Sequence, residues 1–315
     1  MTMAENVLVT GGAGFIGSNL CRRLVAEGAA VRVIDNLLTG KKSNLNGILD
    51  KIDFIEADMG DPDAARSAMK DIDIVLHQGA VPSVPRSVDE PDVTHQHCVN
   101  ATFTLLLAAR DSKIKRFVYA ASSSAYGDSP VMPKVETMIT NPKSPYAAAK
   151  LFGEYYCSVF SQVYGLDTIS LRYFNVFGPY QDPTSQYAAA IPAFVTAILR
   201  GQSPTVYGDG EQSRDFTYID NVVHANLLAA RAPKTGGEVV NIACGDKITV
   251  NAIIQLINHM TGNTVAPCYA PSRPGDVKHS LADIAKAKAL IGYTPVVPFR
   301  HGLEKAIHWY RENLM

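Results

Sequence analysis

The chain has 315 residues, of which 47% are hydrophobic, and a formal net charge of -1 at pH 7 with no markedly basic stretch. That is enough apolar material for a large α/β core, in one domain or in two that share an interface. The charge balance excludes a nucleic-acid surface or an anionic-membrane surface, and the longest mostly apolar run, 187–199, is shorter than the roughly 20 residues that a membrane span needs.

In chain order, short β-branched runs alternate with longer helical patterns, the texture of parallel βαβ units. Strands are expected at 7–10, 31–35, 54–56, 74–77, 117–121 and 168–172, with helices at 15–27, 62–69, 93–112 and 146–164. After Phe174 the pattern changes, and Pro and Gly become frequent between Gly178 and Gly210. A helix at 219–230 and a strand at 239–242 read as returns to the sheet, and helices near 250–260, 284–290 and 303–312 complete a smaller C-terminal region. The implied fold is α/β, a doubly wound parallel sheet with an interleaved α/β substrate domain. Residues 1–174 plus about 217–243 form the first unit; about 175–216 plus 244–315 form the second. Five scattered cysteines without a CxxC pair point to free thiols in a reducing compartment, and no secretory leader precedes the first strand. A cytoplasmic protein is the expectation.

Gly11-Gly12-Ala13-Gly14-Phe15-Ile16-Gly17 follows the first strand and opens a helix, the context of a Rossmann-type dinucleotide site. Gly11 permits the tight turn, Gly14 lets the backbone approach a pyrophosphate, and Gly17 allows helix and strand to pack closely. The helix N-terminus offers free N–H groups to phosphate. Asp35 ends the second strand 18 residues beyond Gly17, where a carboxylate holds ribose hydroxyls and repels a 2′-phosphate. NAD rather than NADP is the cofactor so implied, with Lys41 and Lys42 nearby as the only contrary charges.

Tyr146 and Lys150 stand four residues apart on one helix face, and Ser122-Ser123-Ser124 ends a strand 24 residues upstream of Tyr146. In a chain with 14 tyrosines the Tyr–Lys spacing alone carries little weight. With the serines at the ligand-facing edge of a parallel sheet, it becomes a coherent acid–base set. A phenol of pKa about 10 needs about 4 kcal/mol of preferential phenolate stabilisation to act near neutrality. A nearby ammonium and a cationic ring would supply that, and a serine hydroxyl would relay the proton.

These residues carry a family resemblance. TGGAGFIG at 10–17, Asp35-Asn36, Asp58-Met59, SSSAYG at 122–127, YAAAK at 146–150 and RYFNVFGP at 172–179 together resemble the extended short-chain dehydrogenase/reductases. SVPRS at 83–87, GEQSRDF at 210–216 and RPGDVKHSLADI at 273–284 are most similar to the bacterial UDP-N-acetylglucosamine 4-epimerases among the UDP-hexose 4-epimerases. The resemblance implies C4 epimerisation of a UDP-hexose through a 4-keto intermediate, with Tyr146 as base, Ser122 bridging the sugar hydroxyl and Tyr146, and Lys150 on the nicotinamide ribose. It places NAD against Gly11, Gly14, Phe15, Ile16, Gly17, Asp35 and Asn36. Further cofactor positions are Thr39, Gly40, Asp58, Met59, Gln78, Gly79, Ala80 and Tyr173. It places the UDP-sugar against Ser83, Ser123, Ser124, Asn175, Ala189, Tyr207, Arg214, Arg273, Asp276 and Ser280. Related dehydratases carry Thr-Asp-Glu where this chain has Ser122-Ser123-Ser124, so water loss is not expected. Ser280 leaves room for a 2-acetamido group where a tyrosine would narrow the pocket.

Cys98, Gly79 and Pro82 depart from the family pattern, in which Asn and Ala are commoner at the first two. His95-Gln96-His97-Cys98 is not expected to bind a metal, because helical positions i and i+2 point apart. His77 reads as structural, and Trp309 and Tyr310 as packing residues. A homodimer is expected, and the faces around 147–155 and 105–109 are read either as its interface or as core. Two other readings remain: a UDP-glucuronate 4-epimerase or decarboxylase, with Arg86 toward a C6 carboxylate, and a non-catalytic NAD(H) sensor.

Overall fold

Seven parallel strands organise the molecule, which is a computed structural model describing residues 5–183, 189–271 and 278–314. They are β1 (Asn6–Thr10), β2 (Ala30–Asp35), β3 (Ile52–Glu56), β4 (Ile74–His77), β5 (Arg116–Ser122), β6 (Thr168–Tyr173) and, late in the chain, β11 (Glu238–Ile242). Their order is β11-β6-β5-β4-β1-β2-β3. The direction of winding reverses between β1 and β4, so the crevice for ligands opens at the carboxyl ends of those two strands. Short strands β7 (Val176–Phe177), β8 (Thr205–Tyr207), β9 (Ser213–Arg214), β10 (Thr217–Tyr218), β12 (Ile248–Thr249) and β13 (Cys268–Ala270) pair outside the main sheet.

The sheet is covered on both faces, which is why its strands are apolar throughout. Alternate residues serve opposite sides: Val7 and Val9 belong to one core cluster and Leu8 to the other. The first face is covered by α1 (Phe15–Ala26) and α8 (Ile219–Arg231), the second by α2 (Pro62–Ala68), α5 (Ala101–Asp111) and α6 (Pro145–Tyr164). The core cluster of the first face continues into α7 (Ala190–Leu199), α9 (Val250–Thr261), α10 (Ala285–Ile291) and α11 (Phe299–Leu314), through Ile253, Ile257, Ile291 and Leu303. The C-terminal helices therefore share a core with the sheet.

Most boundaries follow local chemistry. Helix α6 starts where the Ser144 hydroxyl accepts from Ala147 N, has Pro145 in its first turn, and ends at Gly165 in the left-handed region (φ +73). One expected element is interrupted. The helix anticipated at 93–112 is α4 (Pro91–His95), a wide π turn at Gln96–Asn100, and then α5. A π turn inserts one residue without breaking the apolar pattern, so periodicity does not reveal it. Helix α3 (Val84–Asp89), capped by Ser83, and helix α7 are additional to the expected elements. No helix among the described residues is long and apolar enough to cross a membrane.

Candidate active site

The glycine-rich turn is as tight as its sequence requires. Gly11 has φ +66, and a Cβ there would stand 2.6 Å from Gly79 Cα. A Cβ at Gly17 would stand 2.1 Å from the Gly11 carbonyl oxygen. Gly14 caps α1 without a side-chain hydrogen bond, which leaves the N–H groups of the first turn for an anion. Asp35 is buried; its Oδ2 accepts from Ala13 N at 2.9 Å and its Oδ1 from Leu37 N at 2.8 Å. Burial raises its carboxyl above the usual range, against those two N–H groups. Each oxygen keeps a lone pair for a ribose hydroxyl.

A cavity of about 900 Å³ opens over this turn, a size suited to a dinucleotide. It is lined by Gly11, Gly14, Phe15, Ile16, Gly17, Asp35, Asn36, Thr39, Gly40, Met59, Gln78, Gly79 and Ala80 of the expected cofactor set, and by Ser83 and Ala189 of the substrate set. Lys41 and Lys42 are both engaged: Lys41 pairs with Asp182 at 2.6 Å and Lys42 with Glu56 at 3.4 Å. Asp58 and Tyr173 are outside the lining. Asp58 Oδ1 accepts from Gly60 N, and the buried Tyr173 hydroxyl lies 3.2 Å from Gln78 Oε1 and accepts from Asn226 Nδ2 at 2.8 Å. The network of Tyr173, Gln78 and Asn226 holds the Gln78 amide at the cavity floor.

Ser122, Tyr146 and Lys150 converge at the carboxyl end of β5, although none is among the cavity-lining residues. Lys150 is buried and its ammonium donates to the Ala120 carbonyl at 2.8 Å. Burial lowers its pKa, opposed by Cys98, Cys157 and Glu154. Burial raises the pKa of Tyr146, Cys98 adds to this, and a hydrogen bond with Ser122 opposes it. The Ser122 oxygen accepts from Ser124 N at 3.2 Å and from Ser124 Oγ at 2.8 Å. Both its lone pairs are then filled, so its own O–H is left to donate, the polarity that stabilises a phenolate.

His77 lies behind this group. Gly79 N donates to Thr10 Oγ1 (3.1 Å), and Thr102 Oγ1 donates to the Cys98 carbonyl (2.7 Å). The remaining contacts, Thr10 Oγ1 to His77 Nδ1 (2.7 Å) and His77 Nε2 to Thr102 Oγ1 (2.9 Å), then assign the proton to Nε2. The ring is neutral: burial, helped by the Lys150 charge, lowers its pKa to about 3.

The expected substrate residues are dispersed over several elements. Ser123 and Ser124 form a short 3₁₀ turn after Ser122. The Ser83 hydroxyl accepts from Arg86 N as the cap of α3. Asn175, at φ +35, donates its amide to the Asp215 carbonyl at 2.8 Å. Tyr207 ends β8, exposed. Arg214 donates to the Ser213 and Lys278 carbonyls, and Ser280 N donates to the Ser213 carbonyl at 3.0 Å, which sets Ser280 beside β9. Arg273 and Asp276 lie outside the described residues.

This chain matches the NAD dependent epimerase/dehydratase family over residues 7–243. It belongs to that family. It is 41% identical, with a TM-score of 0.95, to the UDP-N-acetylglucosamine 4-epimerase from Methanobrevibacter ruminantium solved with UDP-N-acetylmuramic acid, over 99% of this chain and 100% of that one. It is 38% identical, with a TM-score of 0.94, to the UDP-glucose 4-epimerase from Thermotoga maritima solved with UDP-glucose, over 98% and 100% of the two chains. It is also 36% identical to the UDP-glucose 4-epimerase of Mycolicibacterium smegmatis, over 97% of this chain and 98% of that protein.

Two departures from the epimerase pattern have a visible accommodation. A Cβ at Gly79 would stand 2.4 Å from Met59 Sδ, so the thioether fills the room of the usual alanine methyl. The buried Cys98 thiol accepts from Val81 N at 3.4 Å and so ties the π turn to the loop that carries Pro82 and Ser83. Tyr310 is core and Trp309, half-buried, packs against it, as expected; Trp309 also lines the cavity with Tyr180 and Asn313. Leu105, Ala108 and Ala109 are buried in the sheet-facing core, and α6 exposes the apolar residues Tyr155, Val159 and Val163. Asn226, Asp215 and Trp309 were missed because each lies far along the chain from its partners, with no local motif.

Proposed function

We propose that this protein epimerises C4 of a UDP-hexose, interconverting UDP-GlcNAc and UDP-GalNAc and also accepting UDP-glucose and UDP-galactose. The carrying observation is the convergence of Ser122, Tyr146 and Lys150 at the carboxyl end of β5, in the sheet that carries the glycine turn, with hydroxyls rather than carboxylates at 123 and 124. The glycine cradle and Asp35 fit NAD. NAD held against the glycine turn and Asp35 would supply a reversible hydride acceptor, so that epimerisation at C4 would involve no net redox. Tyr146 takes the proton of the sugar 4-hydroxyl and gives it back. Ser122 donates to the Tyr146 oxygen, and the Lys150 ammonium favours the phenolate. Because positions 123 and 124 lack a carboxylate, nothing there draws a proton from C5, and the 4-keto sugar is not dehydrated.

In this reading residues 1–174 plus about 217–243 hold the cofactor, and about 175–216 plus 244–315 hold the nucleotide sugar. Arg214, with Arg273, serves the diphosphate, Tyr207 the uracil, Asp276 the ribose, and Ser280 with Ala189 the 2-acetamido group. A cytoplasmic homodimer is part of the proposal. The UDP-glucuronate reading is less favoured, because Arg86 already holds Glu90 at 2.8 Å. The test is to incubate purified protein with UDP-GlcNAc and no added NAD⁺, then determine the configuration at C4. A mixture of both epimers supports the proposal; stoichiometric NADH release or a 6-deoxy product overturns it.

A further inference from the structure

Asp215 is completely buried between Arg214 and the Phe216 ring segment that leads into β10, and it belongs to no part of the chemistry above. Its carboxylate gathers backbone N–H groups from two distant stretches: Cys244 N at 2.9 Å and Gly245 N at 3.0 Å, after β11, and Ala282 N at 3.3 Å. Its own carbonyl receives the Asn175 amide at 2.8 Å. One residue therefore fixes Asn175 on one side and, two positions from Ala282, the Ser280 backbone on the other. Its neighbour Arg214 is the proposed diphosphate ligand.

No cation is paired with this carboxylate among the described residues. The groups around it are the Cys244 thiol and the exposed Asp246 on the turn after β11, the Tyr293 phenol that donates to Ala243 O, Asp283, and Arg214, whose guanidinium is directed to the Ser213 and Lys278 carbonyls. On the far side of β9, His279 bonds Ser213 through Nδ1 at 2.9 Å. Among the described residues, the hydrogen-bond partners of this ordinarily ionised oxygen pair are three N–H donors.

We propose that Asp215 is a positioning residue for the sugar-nucleotide site, and that its ionisation couples the affinity of that site to pH. The proposal rests on the epimerase reading for the identity of the ligand. Burial raises the Asp215 carboxyl to about 6, against its three N–H partners and with Asp246 adding to the rise. Protonation places an O–H among donors, withdraws an acceptor from Ala282 or the 244–245 turn, and frees the segment that carries Ser280. Chemistry at Tyr146 is on another part of the sheet, so binding changes and turnover does not.

The experiment is steady-state kinetics with UDP-GlcNAc, whose diphosphate diester does not titrate between pH 5 and 7, together with calorimetric titration of UDP at pH 7. If only the ionised site binds, KM rises about tenfold from pH 7 to pH 5 while the kcat ratio stays that of Tyr146 alone. Asp246→Asn, a surface change, removes a negative neighbour and moves the KM midpoint to lower pH. Asp215→Asn sets an NH₂ against an N–H, raises KM at every pH and flattens its pH dependence, with kcat at pH 7 within about threefold. A wild-type KM that is flat, a profile that persists in Asp215→Asn, or an unmoved midpoint in Asp246→Asn overturns the role of Asp215 while UDP binding stands. Absence of UDP binding by the wild type at pH 7 overturns the site reading and the role together.

Discussion

The Lys150 ammonium is bound to the carbonyl of Ala120, two residues before Ser122 on the same strand face, at 2.8 Å. This contact and the Tyr119 hydroxyl's bond to the Lys150 carbonyl at 3.3 Å hold helix α6 in register against strand β5 and bring cation, phenol and hydroxyl to one edge of the sheet. One helical turn on, Glu154 makes a bidentate pair with Arg172 at 2.9 and 2.7 Å, so the helix is pinned to the sheet at two successive turns.

Replacing Lys150 by Met keeps the buried aliphatic stem and removes the charge. Without a cation on its helix face the Tyr146 phenol becomes harder to ionise, so the low-pH limb of activity, which tracks ionisation of the base, moves to higher pH. The expected loss in kcat at pH 7 is about 100-fold, within the usual range for an acid–base group. A kcat–pH profile of wild type and variant checks this; an unshifted limb would separate Lys150 from the base.

Gly17→Ala tests the cradle. The added Cβ would meet the Gly11 carbonyl oxygen at 2.1 Å and Gly12 Cα at 2.7 Å, both backbone, so no side chain can turn aside. A loss of about 1–3 kcal/mol in stability is expected, with much less nucleotide retained on purification. Gly28→Ala is the control: nothing lies within 4 Å of its added Cβ, and only its φ of +80 is strained. It should cost about 1 kcal/mol and leave cofactor content unchanged. Absorbance of released nucleotide reads both, and equal retention in the two variants would contradict the cradle.

The sheet and the dinucleotide site are legible in the sequence because their signals are local. A glycine turn, a strand ending in Asp35, and a cap such as Ser144 each act through residues a few positions apart. The acid–base trio is legible only in combination, since Ser122 and Tyr146 meet where the end of β5 lies against the start of α6, which runs back along the sheet. What stayed hidden is relational. Nothing near Asp215 announces that its partners are Cys244, Gly245 and Ala282, and nothing near Trp309 announces a cavity lined mostly by the first 86 residues. The π turn at Gln96–Asn100 escaped because one inserted residue preserves the apolar face while rotating Cys98 toward Val81.

Ser280 offers a test of sugar choice. Its backbone is fixed to Ser213 at 3.0 Å, so a larger side chain at this position cannot be relieved by a shift of the strand edge. Ser280→Tyr should abolish activity on UDP-GlcNAc and spare UDP-glucose, because bulk rejects a substituent more strongly than space selects for one. Parallel kcat/KM measurements on the two substrates decide it. Equal loss on both would remove Ser280 from the pocket.

His77 makes the fold acid-sensitive in a way that can be isolated. Its folded pKa of about 3 lies below the 6.5 of a free imidazole, so the unfolded chain takes up a proton that the folded chain refuses. The stability it contributes is complete above pH 6.5 and is lost progressively as pH falls toward 3. Between pH 7 and pH 5 the difference amounts to about 2 kcal/mol. His77→Gln forfeits part of the bonding to Thr10 and Thr102, at a cost of about 1–3 kcal/mol near neutrality, but removes the titrating ring. Chemical denaturation at pH 7 and pH 5 should therefore show the variant less stable than wild type at pH 7 and the gap narrowing by about 2 kcal/mol at pH 5. A gap that is the same at both values would mean that His77 carries a proton in the native state, and that the chain of hydrogen bonds from Gly79 to Cys98 has a different polarity.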